Sequence, residues 1–256
     1  MGAVIGGIYA AGKLDVYNDW AVRLKRNDVM RLLDFSFTWT SVFKGERIFA
    51  VLADLIGGGK IEELERGFTA VATSLRDQRE IWIDSGPLFP AIRASSAVPG
   101  VFSPVRHGGR ILVDGGLVNP IPIAPTLSDA NDLTIAVNLN DNSETYRQPE
   151  PAHAEKASAD NDEGYTAAIS RFVTRLIEDD EAGETEAADP DFRDVLTRSF
   201  DVMQGSIARM KLAAYSPDIV VKIPRDACTF FEFYRAAELT DLGYRQANEA
   251  LEKSGY

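Results

Sequence analysis

Residues 1–12 have the sequence MGAVIGGIYAAG, which is rich in glycine, alanine and isoleucine and carries no charged side chain. A helix without a polar face does not suit a solvent-facing position. The stretch therefore predicts a helix over residues 2–11 that is buried against a sheet and closed by Gly12. Its small residues allow neighbouring backbones to approach closely.

The first two residues also match the second half of a nucleophile motif. In a G-x-S-x-G turn, the serine sits between a strand and a helix, and the final glycine allows the helix to pack on the strand. Met1 and Gly2 match the last two positions, which puts the serine one residue before Met1. The sequence therefore predicts a hydrolase whose nucleophile is absent from this chain.

Residues 111–116, ILVDGG, supply a candidate partner for that serine, because Asp114 ends an apolar strand there. In open α/β sheets, catalytic groups gather at the carboxyl ends of strands. Gly115 and Gly116 are expected to allow a sharp exit with positive φ and to leave the carboxylate uncrowded. Such a carboxylate can act as general base toward a nearby hydroxyl. Asp-Gly-Gly alone is more often a simple turn, but the opening motif favours the catalytic interpretation.

The histidine inventory favours a two-residue Ser-Asp arrangement over a Ser-His-Asp triad. His153 lies in an acidic segment, and His107 lies in an expected hairpin turn just before the Asp114 strand. Neither histidine has a second ligand at a useful interval, so no metal site is predicted. Ser74, Ser95 and Ser96 lack glycine-flanked turns and are interpreted as structural.

The remaining pattern alternates helices with short apolar strands, which favours a three-layer α/β/α domain. Residues 68–74 and 80–84 are expected to pair as neighbouring strands, and the apolar run at 133–139 to be buried on both faces. Further strands are expected at 111–114 and 218–223. Helices are expected at 14–26, 27–34, 46–56, 88–97, 165–178, 192–214 and 236–253.

Charge is concentrated in one part of the chain, whose net charge is -12. Residues 141–190 carry 14 acidic and 4 basic side chains, and the other residues carry 25 acidic and 23 basic ones. Segments 141–162 and 179–190 are therefore expected to be flexible. The absence of a clustered basic surface argues against nucleic-acid binding.

Cysteine content and hydropathy indicate the cellular environment of the protein. Cys228 is the single cysteine, which excludes an intrachain disulfide and a zinc site built from several cysteines. A reducing, cytoplasmic location fits this content. No apolar run reaches the roughly 18 residues of a membrane span, and the first residues lack the pattern of a signal peptide.

Four blocks of sequence together resemble the patatin-like phospholipase family in its compact bacterial form. The order and spacing of the blocks agree with that family as far as about residue 139. The blocks are residues 1–12 (MGAVIGGIYAAG), 68–75 (FTAVATSL), 94–105 (ASSAVPGVFSPV) and 113–122 (VDGGLVNPIP).

The resemblance implies a lipid acyl hydrolase with a Ser-Asp dyad and a glycine-rich oxyanion loop. Asp114 matches the dyad acid, and Gly115 and Gly116 complete its motif. Gly2 matches the last glycine of G-x-S-x-G, and Met1 the residue before it. The serine, the oxyanion loop and the strands that carry them have no counterpart in this chain.

The resemblance also implies an α/β fold, namely a three-layer α/β/α patatin-like (lysophospholipase-like) fold lacking its N-terminal strands. We expect one patatin-like domain over residues 1–256. Its core would span 1–139, and its C-terminal helices and strand 191–256.

The expected function is a phospholipase or esterase of the Ser-Asp dyad type that is inactive as this chain. Its substrate would be a lipid or another acyl ester, reached by transient contact with a membrane surface, and no cofactor is needed. The alternative is a catalytically dead module that binds lipid or protein. Phe89, Phe102 and Val105 could line an acyl pocket in it, although ordinary core positions are favoured. A third reading, in which the acidic segment recruits a basic partner, ranks last.

Overall fold

A computed structural model of the chain describes residues 1–33, 35–38, 41–129, 131–141, 192–229 and 231–256. The helix expected at 165–178 and, apart from Asp141, the acidic segments expected at 141–162 and 179–190 lie outside the described residues.

Helices and strands alternate along the described part of the chain. The helices are α1 (Gly2–Ala10), α2 (Leu14–Ala21), α3 (Arg26–Leu32), α4 (Glu46–Ile56), α5 (Leu88–Ser95), α6 (Phe192–Tyr215) and α7 (Ala236–Lys253). The strands are β1 (Phe35–Thr38), β2 (Ser41–Phe43), β3 (Ala70–Ser74), β4 (Arg79–Ile83), β5 (Gly100–Phe102), β6 (Val105–His107), β7 (Arg110–Asp114), β8 (Ile135–Asp141) and β9 (Ile219–Pro224).

Most of the expected elements are confirmed, with shifts of a few residues at their ends. The expected helices at 46–56 and 236–253 agree with α4 and α7 at both ends. The sequence did not predict β1, β2 and β5, which form a separate small sheet in the order β1-β2-β5. These strands are only three or four residues long, too short for a periodic pattern to be recognised.

A four-stranded antiparallel sheet in the order β4-β3-β7-β6 holds the end of the Asp114 strand. The expected pairing of β3 with β4 is confirmed, with Thr73 opposite Glu80. Strand β7 lies on the other side of β3, with Ala72 opposite Asp114. Strands β6 and β7 form the expected hairpin around His107.

Helices α1 and α5 cover one face of this sheet. Ala70, Ala72 and Leu112 are fully buried, and they belong to the same core cluster as Val4 and Ile8 of α1. The expectation of a buried first helix holds for this face only, because the outward side of α1 is exposed. The exposed side chains are Ile5 at 42% and Tyr9 at 53%.

Close packing of α1 on α5 depends on one glycine. A β-carbon on Gly7 would lie 2.6 Å from Ile92 Cδ1 and 3.3 Å from Leu88 Cδ1, and both of those side chains are buried. Gly6, one residue earlier, has more room, since the nearest atom to its β-carbon would be a ring carbon of Phe68 at 3.5 Å. A side chain at Gly7 would therefore clash with the core, whereas a methyl group at Gly6 would make an ordinary contact.

Strands β8 and β9 form a parallel pair, and here the expectation of burial on both faces was wrong. Ala136 is buried in a cluster with Ala208 of α6. On the opposite face Ile135, Val137 and Leu139 are 48%, 53% and 56% exposed. An apolar run reads the same whether one or two faces are covered, so the pattern could not distinguish these cases.

The structure also shows where the three candidate pocket residues, Phe89, Phe102 and Val105, lie. Phe102 is buried in a second core cluster with Phe43, whereas Phe89 and Val105 pack against the first. These contacts place the three candidate pocket residues in the protein core.

None of the helices in the described ranges is long and apolar enough to cross a membrane.

The packing of α1 generates a paired prediction. Substituting either glycine by alanine is expected to stabilise the helix by about 1 kcal/mol, because alanine has the higher helix propensity. Gly6→Ala is expected to leave the free energy of unfolding unchanged or to raise it. Gly7→Ala is expected to lower it by up to about 2 kcal/mol, because overpacking a dense core costs about 1–3 kcal/mol, which offsets or exceeds the gain in propensity. Chemical denaturation followed by circular dichroism measures both changes. Equal effects of the two substitutions would contradict the close packing of Gly7.

Candidate active site

Backbone contacts on both sides fix the position of Asp114 at the end of β7. Its N–H donates to the carbonyl oxygen of Ala97 at 2.9 Å, and its own carbonyl accepts from Thr73 Oγ1 at 2.9 Å. Thr73 is 2% exposed, so this hydroxyl is held inside the sheet. The strand end therefore cannot shift without breaking buried hydrogen bonds.

Immediately after Asp114, the chain turns through the 3₁₀ segment Gly115–Leu117. The Asp114 side chain caps this turn, because Oδ1 accepts the N–H of Gly116 at 2.6 Å. A charge-assisted hydrogen bond of this length is among the stronger ones in proteins. The carboxylate is thus tied to the turn that follows it.

Gly115 is required by close approach, and the predicted positive φ at Gly115 and Gly116 was wrong. Neither residue is among the described glycines with positive φ. A β-carbon on Gly115 would instead lie 2.1 Å from the carbonyl oxygen of Val71, far inside any allowed contact. The Val71 carbonyl lies on β3, past the point where β7 ends, and it accepts a hydrogen bond from Ser95 Oγ at 2.6 Å.

The structure brings the start of α1 to the same place. The nitrogen of Met1 lies 4.0 Å from Asp114 Oδ2, and the Asp114 side chain is 16% exposed. Met1 is the N-cap residue of α1 and Gly2 begins that helix. Residues 1–2, which match the end of the nucleophile motif, therefore lie close to Asp114 in space. More than a hundred positions separate them from residues 114–116 in sequence.

Electrostatics at Asp114 reflect opposing influences. Burial raises the pKa of the Asp114 carboxyl above its ordinary value, while the Met1 amino group and the Gly116 N–H act in the lowering direction. Desolvation disfavours the charged form of a carboxyl group, whereas a nearby cation and a donated hydrogen bond favour it. Burial is the largest influence, so the group holds its proton more tightly than an exposed aspartate. A raised pKa is the direction that suits a general base.

The other candidate side chains are exposed, hydrogen-bonded elsewhere or outside the described residues. His107 is exposed at the end of β6, and His153 lies outside the described residues. Ser74 Oγ hydrogen-bonds with Asp77 at the β3–β4 turn, so its hydroxyl has a structural partner, as does that of Ser95. In the described part of the chain, no three His, Cys, Asp or Glu side chains converge as metal ligands.

Comparison with known proteins adds the family. A model of the family described as "Patatin-like phospholipase" matches residues 1–127. An uncharacterized NTE family protein of Mycobacterium tuberculosis (strain ATCC 25618 / H37Rv) is 36% identical over 292 aligned residues, covering 98% of this chain and 81% of that protein. The chain belongs to the patatin-like phospholipase family. This result confirms the resemblance and the α/β class.

More distant relatives share the same family description. A patatin-like phospholipase domain-containing protein of Caenorhabditis elegans is 29% identical over 48% of this chain and 10% of its own length. Patatin-like phospholipase domain-containing protein 7 of Rattus norvegicus is 25% identical over 57% of this chain and 11% of its own length. Membership in a phospholipase family indicates a hydrolase that acts on lipids.

Two polar residues near this patatin-like site were not predicted from sequence. Asn119 is 2% exposed, and its Nδ2 donates to Glu80 Oε2 at 2.5 Å while its backbone N–H donates to Gly115. Gln204 Nε2, from α6, donates to the carbonyl oxygen of Gly116 at 3.1 Å. Asn119 is the one polar side chain besides Asp114 in the block at 113–122, and this was the available signal for it. No sequence signal marks Gln204, which is 88 residues away from Gly116.

The contact between Gly115 and Val71 generates a stability prediction. Gly115→Ala is expected to lower the free energy of unfolding by about 3 kcal/mol or more, at the upper end for overpacking, because the obstructing atom belongs to a strand backbone. The matched control is Gly58→Ala, where a β-carbon has no neighbour within 4 Å. That change should alter stability by less than about 1 kcal/mol. Similar denaturation midpoints for the two variants would show that the turn tolerates a side chain.

The raised pKa of Asp114 predicts a pH-dependent stability difference. The folded state binds the Asp114 proton more tightly than the unfolded state, whose carboxyl pKa is about 3.9. The native protein therefore loses stability as the pH rises from that value through the folded pKa, and the loss is complete above it. Asp114→Asn removes this loss. As the pH rises through this window, the free energy of unfolding of the variant minus that of the native protein is expected to increase. Above the window, this difference should stay constant.

Urea denaturation at several pH values between 4 and 8 measures this difference. Asp77→Asn is the control, because a hydrogen bond from Arg110 lowers the pKa of Asp77. Its stabilising ionisation lies below pH 4, so the difference between this variant and the native protein should be flat across the same range. A flat profile for Asp114→Asn as well would contradict the raised pKa.

Proposed function

We propose that this protein is a lipid acyl hydrolase, a phospholipase or esterase, in which Asp114 is the general base of a Ser-Asp dyad. The observation that carries the proposal is the 4.0 Å separation between the Met1 nitrogen and Asp114 Oδ2. The family indicates lipid hydrolysis, and this contact indicates where in the chain the chemistry would occur. The cleaved bond would be an acyl ester.

The separation is informative because a preceding residue would be bonded to the Met1 nitrogen. Standard bond lengths place the hydroxyl oxygen of a serine within about 5 Å of the nitrogen of the next residue. A serine before Met1 would complete G-x-S-x-G with Gly2 and would have its hydroxyl in the neighbourhood of Asp114. Its position directly before α1 would also place it at the N-terminus of a helix, as the nucleophile motif requires.

The proposed reaction uses Asp114 twice. The carboxylate accepts the proton of the serine hydroxyl while the oxygen attacks the ester carbonyl carbon. As the tetrahedral intermediate collapses, the C–O bond to the alcohol breaks and Asp114 returns the proton to the leaving alcohol. A water molecule then repeats the sequence on the acyl-enzyme and releases the fatty acid.

The start of α1 would help stabilise the negative charge of that intermediate. Unpaired backbone N–H groups and the helix dipole make a helix N-terminus favourable for an anion. In a chain with a residue before Met1, the Met1 N–H would be a peptide donor at this position. An oxyanion donor of this kind is worth about two to three powers of ten in rate.

The proposal extends to the organisation and setting of the protein. Residues 1–256 would form one domain that meets its substrate by transient contact with a membrane surface, in the cytoplasm, without metal or cofactor. Lacking a nucleophile, the chain of residues 1–256 would be inactive, because Asp114 would have no proton to accept.

Activity assays on two lengths of the chain test the dyad. The DNA upstream of the Met1 codon, translated in frame, is expected to encode a glycine-rich loop followed by Gly-x-Ser. The chain extended by those codons should hydrolyse p-nitrophenyl acyl esters and phospholipid vesicles, whereas residues 1–256 should not. In the extended chain, replacing the added serine by alanine should abolish turnover. Asp114→Asn should lower kcat by about 10²–10⁴, the contribution of a general base.

Controls separate loss of chemistry from loss of folding. Asp77→Asn, which changes an exposed carboxylate, should retain the activity of the extended chain. An in-frame stop codon directly before Met1, or full activity of the Asp114→Asn variant, would refute the dyad. Binding of fatty acid by residues 1–256 with no turnover by either length would favour the alternative of a catalytically dead lipid-binding module.

A further inference from the structure

Asp114 and a side chain from the distant helix α6 both hydrogen-bond to the backbone of Gly116. The Gly116 N–H donates to Asp114 Oδ1 at 2.6 Å. Gln204 Nε2 donates to the Gly116 carbonyl oxygen at 3.1 Å. One glycine therefore links the carboxylate to a helix 88 residues further along the chain.

The space around Gly116 shows how tightly the three residues fit. A β-carbon on Gly116 would lie 2.9 Å from Asp114 Oδ1 and 3.2 Å from Gln204 Nε2. The Gln204 amide and the Asp114 carboxylate are therefore within about 6 Å of each other, a separation at which a charge still shifts a neighbouring pKa.

Helix α6 is itself fixed to the body of the protein. Asp201, one turn before Gln204, forms an ion pair with Arg225 after β9. Ala208, one turn after Gln204, is buried with Ile121 and Ile123, which follow the Asp114 turn in sequence. These contacts hold the helix in place on both sides of Gln204, so its side chain starts from a fixed position.

We propose that Gln204 is a positioning residue that fixes Gly116 through its carbonyl oxygen, so that the N–H of the same residue stays directed at the Asp114 carboxylate. Without the Gln204 amide, the turn would keep its hydrogen bonds to Asp114 and to Asn119, but the carbonyl of Gly116 would lose this donor. Gln204 touches no reacting atom and acts through Gly116. Its catalytic importance rests on the proposed dyad, but its effect on Asp114 does not.

A charge scan at position 204 tests whether this residue lies close to the Asp114 carboxyl, without any need for turnover. Selective carbonyl labelling of aspartate with ¹³C, with Asp114→Asn used for assignment, allows the Asp114 carboxyl to be titrated by NMR in residues 1–256. The charged group that already acts on Asp114, the Met1 amino group, is the same in every variant. Gln204→Glu should raise the Asp114 pKa and Gln204→Lys should lower it, each by about half a unit or more.

The matched control is Val202, which is 69% exposed on the solvent side of α6. Val202→Glu and Val202→Lys introduce the same charges on the same helix, where water and salt screen them. Their shifts in the Asp114 pKa should be less than about 0.2 units. Shifts of equal size at positions 202 and 204, or shifts in the same direction for Glu and Lys at 204, would overturn the proposal. Shifts of opposite sign show that position 204 lies close to the Asp114 carboxyl, and removal of the donor then tests whether Gln204 positions Gly116.

Two further measurements test the positioning role itself, and they also apply if a charge at position 204 prevents folding. Gln204→Met keeps the length of the side chain and removes the donor, so the Asp114 pKa should rise. An unchanged pKa in a folded Gln204→Met variant would overturn the proposal. In the native chain, the side-chain amide signals of Gln204 should follow the titration of Asp114, and those of exposed Gln78 should not. If these results hold while the extended chain shows no esterase activity, the dyad fails and the positioning role stands.

Discussion

The contact between Gly115 and the Val71 carbonyl is the constraint on which the arrangement around Asp114 depends. Strand β7 ends at Asp114, while β3 continues and leaves the Val71 carbonyl without a strand partner on that side. The turn after Asp114 presses against this carbonyl so closely that a β-carbon would lie 2.1 Å from it. Only glycine permits that approach. The approach in turn brings Gly116 into hydrogen-bonding distance of the Asp114 side chain.

The same close packing explains the electrostatic character of the site. Water is largely excluded from a carboxyl group that is 16% exposed, and this exclusion disfavours its charge. The hydrogen bond from Gly116 compensates in part and orients the carboxylate. A buried acid with one fixed donor costs folding stability, which proteins tolerate mainly where the acid has a chemical role. The burial of Asp114 thus supports the role that is proposed for it.

Long-range contacts complete the site from parts of the chain that share no sequence motif. Helix α1 brings Met1 to Asp114, β4 provides Glu80 for Asn119, and α6 provides Gln204 for Gly116. Each contact joins residues that are at least 39 positions apart. The turn after Asp114 is therefore held by three elements that are correctly placed only in the folded protein.

The sequence alone predicted the elements whose pattern is local. Uncharged small residues predicted α1, apolar runs predicted β3, β7 and β9, and amphipathic spacing predicted α4 and α7. It also singled out Asp114, because an acid at a strand end followed by two glycines is a recognisable local signal. Each of these features is contained within a few consecutive residues, where hydrophobic period and turn preference decide the structure.

Tertiary structure decided the features that depend on what lies opposite. It determined that β8 is covered on one face only, that Gly115 is required by the Val71 carbonyl and not by positive φ, and that Gln204 faces Gly116. None of these can be deduced from a local pattern, because burial and close approach are properties of two surfaces that meet, and the sequence around one surface does not specify the other.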